Sequence, residues 1–111
     1  MNVYYRPWAS LVLAMIAMPA AHAAPPNFEI TIRDHRFEPA QIRIPANIKV
    51  KLAIKNLDPS PEEFESYELN REKVIAGNST GFVFVGPLSP GRYPFFGDFN
   101  PKSAQGQLVA D

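Results

Sequence analysis

The chain has 111 residues, of which 46% are hydrophobic and 20% charged, with 11 basic and 11 acidic side chains and no cysteine. This composition predicts one small folded domain rather than a disordered chain. The lack of cysteine excludes disulfides, thiolate nucleophiles, cysteine-ligated zinc and a blue-copper thiolate. Since no basic stripe is available to hold a phosphate backbone, nucleic acid is not an expected partner.

The first 23 residues have the pattern of an export signal. Arg6 supplies a positive charge, the apolar run at residues 8–18 is too short to span a membrane comfortably, and Ala21-His22-Ala23 fits the small-x-small cleavage rule. We therefore predict a signal peptide over residues 1–23, cleaved after Ala23, and a periplasmic domain over residues 24–111. An uncleaved anchor is the alternative; once cleaved, the protein is not expected to span the membrane.

Along the rest of the chain, apolar residues recur at every second position, which predicts β-strands. The seven predicted strands lie at residues 28–32, 41–44, 48–55, 63–69, 82–85, 93–96 and 107–110. The strand at residues 82–85 is apolar at every position, so it is predicted to be central or covered on both faces. Two packed sheets bury such faces without a helix, and we predict an all-β Greek-key β-sandwich of about seven strands, with a small closed barrel as the alternative.

A run of acidic residues follows the proline-rich loop at residues 58–61, and it consists of Glu62, Glu63, Glu65 and Glu68. In an extended strand, Glu63, Glu65 and Tyr67 would share one face, with Phe64 on the other. Iron and Mn(II) accept carboxylate and phenolate donors, and closely spaced carboxylates have raised pKa values. The alternative is a solvated acidic edge that discourages strand pairing.

Two loops carry further candidates for a site. His35 lies between two predicted strands, where a side chain reaches either solvent or a site, although one imidazole is only a start on a metal shell. Residues 95–101 combine three phenylalanines with Asp98 and Asn100, and they either line a pocket or partner surface or cap the open end of the sandwich. Because no nucleophile elbow or phosphate-binding glycine loop is present, independent enzymatic activity is not expected.

Six motifs span most of the chain. They are Asp34-His35-x-Phe37-x-Pro39, Ile44-Pro45-Ala46, Pro61-Glu62-Glu63-Phe64-Glu65-Ser66, Arg71-Glu72-Lys73-Val74-Ile75, Gly86-Pro87-Leu88-x-Pro90-Gly91-x-Tyr93 and Phe95-Phe96-Gly97. Together, from about residue 28 to residue 110, they resemble the cupredoxin-like domain family of the EfeO type. The resemblance implies a periplasmic sandwich that binds copper or iron and assists oxidation of ferrous iron before uptake. The implied partners are an inner-membrane iron permease and other periplasmic iron-uptake proteins.

The resemblance also implies where a metal would bind. It places metal candidates at His35, at Glu63 or Glu65, and in the loop after Phe-Phe-Gly. Relatives often carry histidine at the position of Asn100, some carry it at that of Tyr67, and type 1 cupredoxins need a cysteine. We therefore predict a degenerate, non-blue copper or iron site whose candidate ligands are His35, Glu63, Glu65, Asp98 and Asn100. The alternative function is a metal-free interaction module that docks on a permease or another exported protein through residues 95–99.

Overall fold

The computed structural model describes residue 4, residues 12–16 and residues 23–111. The predicted signal peptide falls mostly outside these described residues, so its cleavage stays a prediction. Within the described ranges, no helix is long and apolar enough to cross a membrane. All strands of the described residues lie within the domain predicted for residues 24–111.

The described part of the chain forms nine strands. In chain order they are β1 (Asn27–Arg33), β2 (Arg36–Glu38), β3 (Gln41–Ile44), β4 (Val50–Asn56), β5 (Glu62–Ser66), β6 (Arg71–Ile75), β7 (Ser79–Val85), β8 (Gly91–Gly97) and β9 (Gln105–Ala110). Seven of them correspond to the predicted strands. The two additional strands are β2 and β6.

The nine strands make two sheets, which confirms the prediction of an all-β sandwich. One sheet has four strands in the order β2-β1-β4-β7, and the other has five in the order β3-β9-β8-β5-β6. Strand β1 pairs in parallel with β4, and β3 pairs in parallel with β9, while the remaining neighbours are antiparallel. Both sheets are thus mixed, and each contains strands that are distant in sequence.

The core lies between the two sheets, where alternate side chains of facing strands meet. Ile30, Leu52 and Ile54 from the four-stranded sheet are fully buried. Three phenylalanine rings pack together in the core. The ring centroid of Phe95 lies 5.0 Å from those of Phe37 and Phe64, which are 6.2 Å from each other, and the rings meet edge-on or tilted. Such aromatic pairs add to the free energy gained from buried area. Phe95 therefore belongs to the core and is not part of an exposed docking loop.

Strand β7 corrects one expectation from the sequence. Its apolar run predicted a central or doubly covered strand, yet β7 is the edge strand of the four-stranded sheet. Phe82 and Phe84 face outwards and are 49% and 42% exposed. The ammonium of Lys51 lies 4.1 Å from the ring centroid of Phe82, and that of Lys49 lies 4.8 Å from that of Phe84. Lysine side chains, rather than a second layer of protein, cover these rings.

Gly97 is the last residue of β8 and faces the buried carboxyl group of Glu62. A Cβ atom at this position would lie 2.6 Å from Cδ of Glu62 and 2.7 Å from Cβ of Ala104. Both distances are far below normal van der Waals contact, and the two neighbours are buried. The glycine of the Phe-Phe-Gly motif is therefore required by packing rather than by a turn.

We predict that Gly97→Ala lowers the free energy of unfolding by about 1–3 kcal/mol, because the added methyl overpacks a closed region. Urea denaturation followed by circular dichroism measures this change. Gly91→Ala is the matched control, since its Cβ would meet its nearest neighbour at 3.7 Å, and it should change stability far less. Equal effects of the two substitutions would contradict the packing explanation.

Candidate functional site

The candidate site is built on β5, whose residues alternate between the two faces of the five-stranded sheet. Glu62, Phe64 and Ser66 are buried against the core. Glu63 and Glu65 occupy the alternate positions and therefore point to the outer face. Neighbouring acidic residues of this strand consequently have entirely different surroundings.

The inward carboxylate of Glu62 is fully engaged in hydrogen bonds. Its Oε1 accepts the backbone N–H groups of Glu63 and Phe99 at 2.9 and 3.0 Å, and its Oε2 accepts the side-chain amide of Asn100 at 2.8 Å. A buried carboxylate is stable only when donors replace its lost hydration. Glu62 therefore attaches the loop between β8 and β9 to β5, and Asn100 serves this attachment.

On the outer face, three carboxylates come together. Glu63, Glu65 and Glu72 each offer an oxygen, and these oxygens all lie within 4.8 Å of one another. Glu72 lies on β6 and is paired directly with Glu65 across the antiparallel ladder. We call Glu63, Glu65 and Glu72 the acidic cluster.

The acidic cluster is electrostatically strained. A hydrogen bond with the Glu72 side chain, followed by burial and by repulsion from neighbouring carboxylates, raises the pKa of Glu63 to about 7. Burial, then the nearby charges of Asp98 and Glu72, raises the pKa of Glu65. Carboxylates with raised pKa values hold protons that a cation could replace.

Two further residues lie at the border of the acidic cluster. Asp98 donates its backbone N–H to the carbonyl of Glu63 at 2.9 Å, and its charge acts on both Glu63 and Glu65. Tyr67 is 75% exposed, and its ring packs on that of Phe96 with a centroid distance of 5.4 Å. Together with Asn70 and Arg71, Tyr67 lines an open polar depression that includes Glu65 and Glu72.

His35 lies in the turn between β1 and β2 and is held there by its backbone. Asp34 and His35 both have positive φ, at 51° and 58°, and their N–H groups donate to the carboxylate of Asp58 at 2.8 and 2.9 Å. The His35 carbonyl accepts the hydroxyl of Ser103 at 2.7 Å. Its Nδ1 lies 3.6 Å from Oδ2 of Asp58. These contacts offset the cost of a left-handed backbone outside glycine.

The structure thus assigns separate surroundings to the predicted ligands. Glu63 and Glu65 lie together, and Asp98 is close enough to raise their pKa values. Asn100 contacts Glu62 on the inner side, and His35 contacts Asp58. The five-residue ligand set remains a prediction. Glu72 was not selected from the sequence, since only its pairing with Glu65 across β5 and β6 brings it to the cluster.

The raised pKa of Glu63 predicts a pH-dependent stability. A carboxyl whose pKa is higher in the folded than in the unfolded protein stabilises the fold at low pH, and this contribution is lost as the pH rises through the folded-state value, here about 7. Glu72→Gln removes one negative charge and supplies an amide donor. We therefore expect Glu72→Gln to become increasingly stabilising, relative to the unchanged protein, between pH 5 and pH 8.

Urea denaturation in the presence of a chelator, at several pH values, measures this difference. Glu68→Gln removes an equal charge from an exposed position outside the acidic cluster and should show a flat difference over the same range. A flat difference for Glu72→Gln as well would contradict the assigned coupling between Glu63 and Glu72.

Comparison with solved structures supports the architecture. Auracyanin A, a "blue" copper protein of Chloroflexus aurantiacus, superposes with a TM-score of 0.66 at 15% identity, over 79% of this chain and 100% of that one. The metal-binding domain of the Streptococcus pneumoniae D39 Cu(I)-exporting P-type ATPase CopA gives a TM-score of 0.64 at 18% identity, over 77% of this chain and 84% of that one. At such identities the likeness establishes the fold alone.

Sequence comparison establishes the family. An uncharacterized protein of Rickettsia prowazekii (strain Madrid E) is 41% identical over 83 residues, or 75% of this chain. The matched region is 66% of that relative, so the chain spans just under two thirds of its length. The profile of the family described as "Cupredoxin-like domain" matches residues 8–110. With this match and the two-sheet architecture, the chain belongs to the cupredoxin-like domain family.

Proposed function

We propose that the protein is an exported metal-binding accessory of ferrous iron uptake, which binds a copper or iron ion at a non-blue site formed by Glu63, Glu65 and Glu72. The observation that carries this proposal is the acidic cluster, in which three carboxylate oxygens lie within 4.8 Å of one another on the outer face of a cupredoxin-like sheet.

The family makes metal binding a reasonable function, but not of the blue-copper type. Copper proteins are among the solved structures that share the fold. A type 1 site needs a cysteine thiolate, and the 111 residues contain none. The residues present therefore do not fit blue copper, and any bound ion has to use other donors.

The acidic cluster supplies suitable donors for a hard or borderline cation. Carboxylates bind iron and Mn(II) well, and they also bind Cu(II). Glu63 is only 8% exposed, and the hydrogen bond that raises its pKa is with another acidic side chain, Glu72. In the metal-free protein, the two carboxyl groups can share one proton, which removes the repulsion between two negative charges. A divalent cation would take the place of that proton and release it.

The elements around the acidic cluster hold its donors in place. Glu63 and Glu65 are fixed by β5, whose inward residues Glu62 and Phe64 are buried. Glu72 is fixed by its ladder position opposite Glu65. A bound iron ion would supply redox chemistry here, and three anionic oxygens stabilise the higher charge of the ferric over the ferrous form.

The role in iron uptake rests on the motifs that resemble the EfeO type. Under this proposal, the export signal at residues 1–23 delivers the domain to the periplasm, and an inner-membrane iron permease is its partner. An oxygen-donor site that favours ferric iron suits a protein that assists oxidation before transport. The metal-free docking module remains the alternative, and the experiment below separates the two.

Calorimetric titration of the metal-free protein with Cu(II) and with Fe(II), the latter without oxygen, tests the proposal. We expect binding of both ions, with Cu(II) tighter in accordance with the Irving–Williams order. Glu63→Gln and Glu72→Gln should each weaken binding at least tenfold. Affinity should fall as the pH drops below about 7, because protons then compete for Glu63.

Glu68→Gln serves as the control, since it removes the same charge outside the acidic cluster, and its affinity should stay within twofold of the unchanged protein. His35→Ala tests whether the predicted histidine ligand takes part, and a loss as large as that of Glu72→Gln would assign it to the site. No binding tighter than millimolar would reject the metal-binding function and favour the metal-free docking module.

A further inference from the structure

The outer face of the four-stranded sheet carries a row of lysines and phenylalanines. Lys51 and Lys55 point outwards from β4, Lys49 precedes that strand, and Phe82 and Phe84 point outwards from β7. We call these five residues the lysine–phenylalanine strip. It corrects the expectation from the sequence that no basic stripe is present, because alternate residues at and before β4 bring its lysines to one face. Two of its ammonium groups lie over its rings, at 4.1 Å for Lys51 on Phe82 and 4.8 Å for Lys49 on Phe84.

Carboxylates are in the minority on the face that carries the strip. Among the described residues, none of its three lysines takes part in a salt bridge. The neighbouring strands β1 and β2 add Arg33 and Arg36 to this face, against the carboxylates of Glu29 and Glu38. The Glu38 carboxylate already pairs with Arg33 at 4.0 Å. Cations therefore outnumber carboxylates on this face by five to two.

The opposite face of the sandwich carries the acidic cluster, together with Arg92 and with Arg43, which pairs with Asp111. The acidic cluster lies on the outer side of the five-stranded sheet, and Asp98 adds a further carboxylate beside it. Because the inner faces of the two sheets pack against each other, their outer faces point in opposite directions. The chain has no net charge as a whole. The two outer faces nevertheless differ in charge, and this difference would orient the domain near a charged surface.

From this arrangement we propose that the lysine–phenylalanine strip docks the domain on the surface of an anionic phospholipid bilayer. Lysine ammonium groups bind headgroup phosphates electrostatically, while their methylene stems and the adjacent rings contact the acyl boundary. Half-exposed phenylalanines beside lysines supply both contributions on one side of the molecule. The proposal goes beyond metal binding and does not depend on it.

Charge and exposure favour a bilayer over other occupants. The strip lies on and beside two adjacent strands, β4 and the edge strand β7, so its lysines and rings share one side of the molecule. Its charge complements anionic lipids, and its rings are exposed enough, at 49% and 42%, to enter the headgroup region. A second copy of the chain could instead place its acidic cluster against the strip, in which case the lysines would be needed for dimer formation rather than for vesicle binding.

Docking through the strip would leave the acidic cluster accessible. The five-stranded sheet would face away from the lipid, with Glu63, Glu65 and Glu72 on the side of the aqueous phase. Any ion that the acidic cluster binds would then come from the aqueous phase, on the side of the domain remote from the lipid.

Vesicle flotation tests the proposal with the full chain and two kinds of vesicle, one of phosphatidylcholine alone and one containing phosphatidylglycerol. We expect at least tenfold stronger binding to the anionic vesicles, which weakens as salt is raised. The triple variant Lys49→Gln, Lys51→Gln, Lys55→Gln should lose this preference. Because every variant keeps the same N-terminal residues, any binding contributed by that apolar segment is common to all of them.

The matched control is the triple variant Lys73→Gln, Arg92→Gln, Lys102→Gln, which removes the same number of charges from exposed positions outside the strip. It should keep the preference for anionic vesicles within twofold. Equal loss in both variants, or no preference in the unchanged protein, would overturn the proposal. So would lysine-dependent dimer formation in solution without vesicle binding, which would assign the strip to a second copy.

A fluorescent probe provides a readout that overall charge does not affect. Phe84→Trp places an indole in the strip, and Phe99→Trp places one at another half-exposed position outside it. Anionic vesicles should shift the emission of the Phe84→Trp variant to shorter wavelength and leave that of Phe99→Trp nearly unchanged relative to the unsubstituted protein. Equal shifts in both variants would contradict docking through the strip.

Discussion

The buried carboxylate of Glu62 determines where the candidate site lies. Two of its hydrogen bonds connect β5 to the loop between β8 and β9, and a third comes from the N–H of Glu63 within β5; together they fix which residues of β5 face the core. A slip of one residue in β5 would exchange the inward and outward sets, turning Glu63 towards the core and Phe64 towards the outer face. The donors around Glu62 and the space left by Gly97 therefore hold Glu63 and Glu65 on the outer face.

Much of the fold could be predicted from the sequence, because most strands show their burial locally. In β1, β3 and β4, isoleucines and leucines alternate with polar residues, and these strands were found close to their predicted positions. Strand β6 gave no such signal, since four of its five residues are exposed. It is extended because it pairs with β5, and pairing between distant segments is not visible in a local pattern.

The candidate site was only partly predictable for the same reason. Glu63 and Glu65 were chosen because they alternate along one strand, which is a local property. Glu72 joins them through the ladder between β5 and β6, and the position of His35 depends on Asp58, 23 residues away in the chain. Likewise, Phe82 and Phe84 led to the prediction of a covered strand, because the lysines that shield these rings lie elsewhere in the sequence, on or just before β4. In each case, the surroundings of the residue depend on a partner from another strand or loop.

The position of β9 has a consequence for how the protein reaches its native state. This strand lies between β3 and β8, so β3 has no neighbour in the five-stranded sheet until β9 joins it. The partners Gln41 and Gln107 are separated by most of the domain, and joining such remote segments makes β-sandwiches fold slowly, on a scale of roughly milliseconds to seconds. The five-stranded sheet of a nascent chain thus remains incomplete until β9 has emerged, so β3 stays unpaired in that sheet through most of synthesis.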